Sequence, residues 1–172
     1  IFTLILISAT ILSFISGKAI YAFRDRSVAQ KTALSFGIIV NLCVLCYFKY
    51  AYFIVDMINN MFGKSLEVID YFAIIGNSIS GTNMFSVDVI MLPVGISFYT
   101  FQCISYLMDI FRRRIEPVRN ILDYGFYVSF FPQLVAGPIV RATDFIPQIR
   151  KPLMVTQELF GRGVFFILAG LF

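Results

Sequence analysis

The chain has 172 residues, 59% of them hydrophobic and 14% charged, with a mean hydropathy of +0.83. That balance excludes a water-soluble domain and describes an integral membrane protein. The net charge of +4 sits in short clusters at the ends of apolar runs and so reports topology, whereas a nucleic-acid footprint needs a basic face on a folded module.

No histidine is present, which removes the commonest general base from these residues. At about 20 residues per crossing, the length suits roughly four to six membrane segments. The expected fold is all-α, a polytopic transmembrane helical bundle with a broken or re-entrant segment. Residues 1–172 are expected to form one partial transmembrane domain, cut at both ends. The chain starts at Ile1 inside an apolar run, and it stops nine residues into the run Val164 to Phe172, too few to cross a bilayer. A signal peptide over residues 1–17 lacks both a basic start and a clear small-x-small cleavage site.

In chain order, residues 1–23 are expected to be a first span, followed by a basic loop at Arg24-Asp25-Arg26 and Lys31. The positive-inside rule puts that loop in the cytoplasm. Residues 33–55 form a second span ending in Tyr47-Phe48-Lys49-Tyr50-Ala51-Tyr52-Phe53, where rings can sit at headgroup level and the lysine can snorkel. The connection from Asp56 to about Ser86 carries Asp56, Glu67 and Asp70 against Lys64, as an external loop should, with an interfacial helix over Leu66 to Ile79. A third span covers residues 90–111, with Pro93 near its start, and returns to the basic cluster Arg112-Arg113-Arg114 and Arg119.

Next comes Phe130-Phe131-Pro132-Gln133-Leu134-Val135-Ala136-Gly137-Pro138-Ile139-Val140-Arg141, an apolar run with two helix breakers. Each proline removes a backbone donor and clashes with the preceding turn, and Gly137 adds flexibility. In hydrocarbon, freed carbonyls are tolerated only where protein or a water-filled cavity satisfies them, so neighbouring helices should enclose this run. If residues 121–140 crossed fully, Arg141, Arg150, Lys151 and Arg162 would lie outside and break the charge rule. The expectation is therefore a re-entrant or bent segment that enters and leaves on the cytoplasmic side. The start of a next span is expected at 163–172.

Tyr99, Gln102, Tyr106 and Asp109 are spaced three, four and three apart and share one face of an otherwise apolar helix. Lipid cannot face that stripe. It is either hydrogen-bonded packing between helices or the lining of a polar tunnel. Cys43-Val44-Leu45-Cys46 has C-x-x-C spacing, but Cys103 is the one other thiol, so three buried structural cysteines are expected. Asp56, Asp70 and Asp88 read as loop or interface residues. No phosphate-cradling glycine pattern and no G-x-S-x-G elbow occurs.

Two stretches carry a resemblance. At Leu92-Pro93-Val94-Gly95-Ile96-Ser97-Phe98-Tyr99-Thr100-Phe101-Gln102, with Ser105-Tyr106 and Asp109, and at Tyr127 to Arg141, the chain resembles the membrane-bound O-acyltransferases. It is most similar to the bacterial branch typified by alginate O-acetyltransferase and the D-alanyl transferase of teichoic acids. Phe48-Lys49-Tyr50 and Phe145-Ile146-Pro147-Gln148-Ile149 fit the same pattern. The resemblance implies a multi-pass enzyme of the bacterial inner membrane, with helices ringing a tunnel, that moves an acetyl or acyl group to a hydroxyl of an exported polysaccharide. It implies a catalytic histidine, which this chain lacks and which is expected C-terminal to Phe172, so these residues alone should be inactive. No bound cofactor is expected. The donor would be acetyl-CoA or an acyl-carrier thioester, and the partners the lipid bilayer, the polysaccharide acceptor and separate periplasmic acetyl-transfer proteins. Here the chain would supply the wall and bend of the path: Tyr99, Gln102, Tyr106, Asp109, Pro132, Gln133, Gly137 and Pro138. Arg141 would hold an anionic donor or headgroup, or snorkel at the interface. Transporters and channels also build sites from discontinuous helices, although no internal repeat is evident, and an inactive membrane scaffold is a third reading.

Overall fold

A computed structural model describes residues 2–81, 87–136, 139–149 and 155–171. Among the described residues the chain is all-helical: α1 (Phe2–Ala22), α2 (Ser27–Phe62), α3 (Tyr71–Ser80), α4 (Ile96–Phe111), α5 (Ile121–Ser129), α6 (Phe131–Ala136), α7 (Ala142–Ile149) and α8 (Gln157–Leu171). Two helices, Thr3–Ala22 and Ser27–Phe62, are long and apolar enough to cross a membrane.

The 21 residues of α1 rise about 31 Å, close to the hydrocarbon thickness. The 36 residues of α2 rise about 54 Å, so α2 overshoots a bilayer and exceeds the expected 33–55 at both ends. Nothing between Asp56 and Phe62 breaks a helix, and termination waits for Gly63, whose φ of 61° closes the last turn on Asn59 O. The buried residues of α2 are Gln30, Leu34, Gly37, Asn41, Leu45 and Phe48, spaced three or four apart as a single seam. Its other faces expose Phe36, Ile39 and Phe53, an apolar exterior suited to lipid. Cys43 and Cys46 lie on that exposed side, and Cys103 alone of the three thiols is buried. The expectation of three buried cysteines fails because Cys43 and Cys46 fall off the α2 seam.

Helices α1, α2 and α4 pack together as the central trio. A Cβ on Gly17 would come within 2.9 Å of Tyr106 Cε1 and Ile110 Cδ1, and one on Gly37 within 2.8 Å of Leu107 Cδ1. Small residues at those crossings let α1 and α2 approach α4 closely. Asn41 donates to Ser13 Oγ at 3.1 Å, a buried hydrogen bond between α1 and α2. Lys49 Nζ reaches Ser97 Oγ near the start of α4, and Arg113 Nη2 reaches Arg24 O beyond its end. Helix α4 therefore runs antiparallel to α2 and parallel to α1, and the two basic turns meet at one end of the bundle.

At the opposite end, Asp70 stands in the loop before α3, as read from the sequence, but is buried there. Its carboxylate caps α3, accepting from Phe72 N and Ala73 N, and also accepts from Tyr47 OH at 3.2 Å. The α3 cap starts the helix at Tyr71, five residues later than expected. Helix α4 likewise starts at Ile96, later than residue 90, because Pro93 and Gly95 (φ 75°) form a turn before it. Helix α8 begins at Gln157, six residues before the expected 163, and buries none of its residues.

Candidate functional site

The apolar run with two breakers is a bent structure. Helix α5 stops at Ser129, Phe130 is extended (φ −62°, ψ 105°), and α6 begins at Phe131. The reason lies in Pro132, whose ring would clash with the carbonyl four residues back, so one helix cannot continue through it. In α6 the same proline occupies the first turn, where its missing donor costs least. Pro132 itself is exposed. Gly137 and Pro138 lie outside the described residues.

The segment leaves the Arg112–Asn120 turn along α5 and reaches the start of α4, where Leu134 meets Gly95. A Cβ on Gly95 would fall 2.6 Å from Leu134 O, so both the left-handed backbone and the close approach require glycine. By Arg141 the chain is back at the other end of α4, lining a groove with Asp109, Arg112 and Arg114. Ala142 and Thr143 line a neighbouring cavity with Pro117, Val118 and Arg119. Both ends of the segment thus lie at the basic end of the bundle.

Four residues predicted from their spacing, Tyr99, Gln102, Tyr106 and Asp109, are all buried on α4. Gln102, 1% exposed, donates from Nε2 to Gln133 Oε1 at 2.8 Å, joining α4 to α6 through a buried pair. Tyr106 OH accepts from Val118 N at 3.1 Å, fixing the turn after α4. Asp109, 4% exposed, does not reach out to an interface; its Oδ1 lies 3.5 Å from Arg114 Nη1. That pairing follows from an unusual helix end. Arg114 N bonds Asp109 O and Arg113 N bonds Ile110 O, a Schellman closure with Arg113 in the left-handed region usually held by glycine. The turn folds Arg114 back over the carboxylate.

Among the described residues, Tyr99 OH, Gln102 Oε1 and Asp109 Oδ2 are buried polar atoms without a partner. Such atoms cost about 1–3 kcal/mol each when left unsatisfied. The groove beside Asp109 holds about 350 Å³ and is walled by Phe101, Ile104, Ser105 and Ile139 as well as its arginines. Its wall is apolar, with Asp109 buried beside it and Arg112, Arg114 and Arg141 around it.

Two tyrosines of the site were given no role from the sequence, although one of them opens the second motif stretch. Tyr124 and Tyr127 are fully buried on α5; Tyr124 stacks on Tyr106 at 4.4 Å, and Tyr127 donates to Val140 O at 3.0 Å, holding the returning strand of chain. Their spacing of three was the available signal. Phe145 packs on Tyr127 and Phe130 at 5.5 and 5.0 Å, tying α7 to the bend. All four motif stretches thus converge: Lys49 on Ser97, Gly95 on Leu134, Gln102 on Gln133, and Phe145 on the bend. Among the described residues, no group of three potential metal ligands occurs.

No protein-family model matches the chain, and no solved structure matches it. Curated proteins do. The chain is 38% identical over 147 residues to "Probable alginate O-acetylase" of Pseudomonas aeruginosa, which covers 86% of this chain and 25% of that protein. It is 38% identical over 141 residues to the protein of the same name from Azotobacter vinelandii, covering 82% and 25%. A "Peptidoglycan O-acetyltransferase" of Helicobacter pylori is 28% identical over 165 residues, covering 81% and 28%. The chain spans about a quarter of the length of the curated relatives it matches.

Proposed function

We propose, on the premise that this chain is a homologue of the alginate O-acetylases over a quarter of their length, that its protein is a membrane O-acyltransferase acetylating hydroxyls of an exported cell-surface polysaccharide such as alginate. The observation that carries the reading is the meeting of the two long motifs, at Gly95 with Leu134 and at Gln102 with Gln133, inside a segment of shared sequence. The basic end of the bundle is the cytoplasmic end by the positive-inside rule, in a multi-pass protein of the inner membrane. The broken segment is re-entrant from that side.

Acyl transfer needs the acceptor oxygen to attack the acyl carbonyl while the bond to the donor sulfur breaks and the hydroxyl proton passes to a base. With no histidine in the chain, that base comes from elsewhere in the protein, in an apolar segment, and these 172 residues are inactive by themselves. Their contribution is the wall. The groove beside Asp109 receives the donor, acetyl-CoA or a carrier thioester, with Arg141 and Arg112 facing its anionic part. The Gln102–Gln133 pair marks the polar point where α6 closes over the path, away from bulk water. Separate periplasmic proteins hand the group on to the polymer.

Deleting the full gene and measuring the O-acetyl content of surface polysaccharide tests this reading. Loss of O-acetyl groups, restored by the intact gene, is expected. Unchanged acetylation would overturn it, and loss of D-alanyl esters from teichoic acid instead would move the activity to the other transfer known for this fold.

A further inference from the structure

At the basic end of the bundle, the α1–α2 turn and the turn after α4 enclose a second cavity, distinct from the groove beside Asp109. It holds about 400 Å³, and its lining includes Tyr21, Arg24, Asp25, Arg113, Arg114 and Glu116. An adjoining space of about 470 Å³ adds Lys18 and Arg119 to the same Tyr21 and Glu116 wall. Besides Arg114, which is paired with Asp109, four cations thus face two carboxylates. The exposed Arg24–Asp25 pair, 3.9 Å apart, neutralises little.

Arg113 is the informative residue. Among the described residues it is the one non-glycine with positive φ, at 58°. A left-handed backbone costs a side-chain-bearing residue what glycine avoids, so its persistence here points to a use for the side chain. That side chain lies over the cavity, with Nη2 3.3 Å from Arg24 O. A guanidinium has five donors, and this contact uses one. Arg24 in turn is held over the Tyr21 ring at 4.9 Å and donates to its hydroxyl at 3.0 Å. Two arginines are therefore preset across one concavity at the end of the apolar spans. Phe23 and Val28, both exposed, lie on either side of Arg24 along the chain and give the α1–α2 turn an apolar rim.

We infer that this cavity binds the phosphate headgroup of an anionic phospholipid of the cytoplasmic leaflet, with Arg24 and Arg113 on the phosphate and the acyl chains along the Phe23–Val28 rim. A cationic concavity at headgroup depth beside exposed apolar side chains matches an amphiphile; a soluble anion would have no use for the rim.

The test uses the intact protein in nanodiscs of phosphatidylcholine with or without phosphatidylglycerol, with bound lipid counted by native mass spectrometry and the unfolding midpoint read alongside. Phosphatidylglycerol is expected to be retained and to raise the midpoint. The Arg24→Gln/Arg113→Gly pair is expected to weaken retention by roughly 30-fold, from the usual worth of two cations at an anionic surface. Glycine keeps the left-handed turn, so the variant should fold. Arg26→Gln, an arginine of the same loop that does not line the cavity, should retain the lipid. The inference is overturned if the double variant keeps wild-type retention, if Arg26→Gln loses as much, or if millimolar inorganic phosphate alone reproduces the midpoint shift.

Discussion

Replacing Gly95 by alanine tests whether the contact between the two motifs organises the site. Two penalties add at this position. The backbone sits at φ 75°, where an L-residue pays about 1–2 kcal/mol relative to glycine. The new Cβ would also stand 2.6 Å from Leu134 O and 2.7 Å from Leu134 Cγ. The nearer atom is backbone, so relief requires moving α6 itself, and overpacking of that kind typically costs about 1–3 kcal/mol. The sum is roughly 2–5 kcal/mol, with α6 displaced and the Gln102–Gln133 bond stretched or broken. Gly125→Ala is the internal control. It lies within α5, and an added Cβ meets nothing within 4 Å, so the change should be neutral or stabilising by up to ~1 kcal/mol. The assay pairs the unfolding midpoint of the intact protein in mild detergent with the O-acetyl content of polysaccharide from cells carrying each variant. Gly95→Ala should lose stability and acetylation, while Gly125→Ala should lose neither. If the two variants agreed within about 0.5 kcal/mol, the close approach of Gly95 to Leu134 would be refuted.

Gln102→Leu and Gln133→Leu, singly and together, separate packing from lining. Each single change strands a buried amide and should cost about 1–3 kcal/mol, whereas the double change replaces both partners and should cost less than their sum. A double variant that folds yet loses acetyl transfer supports a lining role; one that folds and keeps full activity assigns the pair to packing. Arg114→Gln removes the partner of the buried Asp109 and is expected to destabilise by about 1–3 kcal/mol, a range discounted because Arg114 is half-exposed. Adding Asp109→Asn should recover part of that loss on the same unfolding assay, and no recovery would sink the ion pair. Single cysteines at Asn120 and Thr143, in a background with Cys43 and Cys46 replaced, should be labelled from the same face of the membrane. Labelling from opposite faces would show that residues 121–140 cross.

Local periodicity carries information about one helix at a time, and the pattern of these 172 residues reaches that far. Composition decided the solvent and the helical class, because hydrocarbon leaves the backbone little choice but to satisfy itself. The three-four-three spacing put Tyr99, Gln102, Tyr106 and Asp109 on one face, since a helix face depends on spacing alone. Pro132 announced a break in the chain, because its clash is with its own preceding turn.

Partners were another matter. Nothing in the sequence pairs Gln102 with Gln133, 31 positions away, or seats Leu134 on Gly95. Cys43 and Cys46 looked like buried thiols until the seam of α2 was set by what α1 and α4 press against. Asp70 reads as a loop acid, and only the approach of Tyr47 made it a buried cap. Arg113 looked like one more topogenic charge until the backbone turned left-handed and laid Arg114 over Asp109. Spacing determined which residues could face inward; only the packing of three helices decided which of them meet, because close contact between distant residues is settled by the fit of whole surfaces.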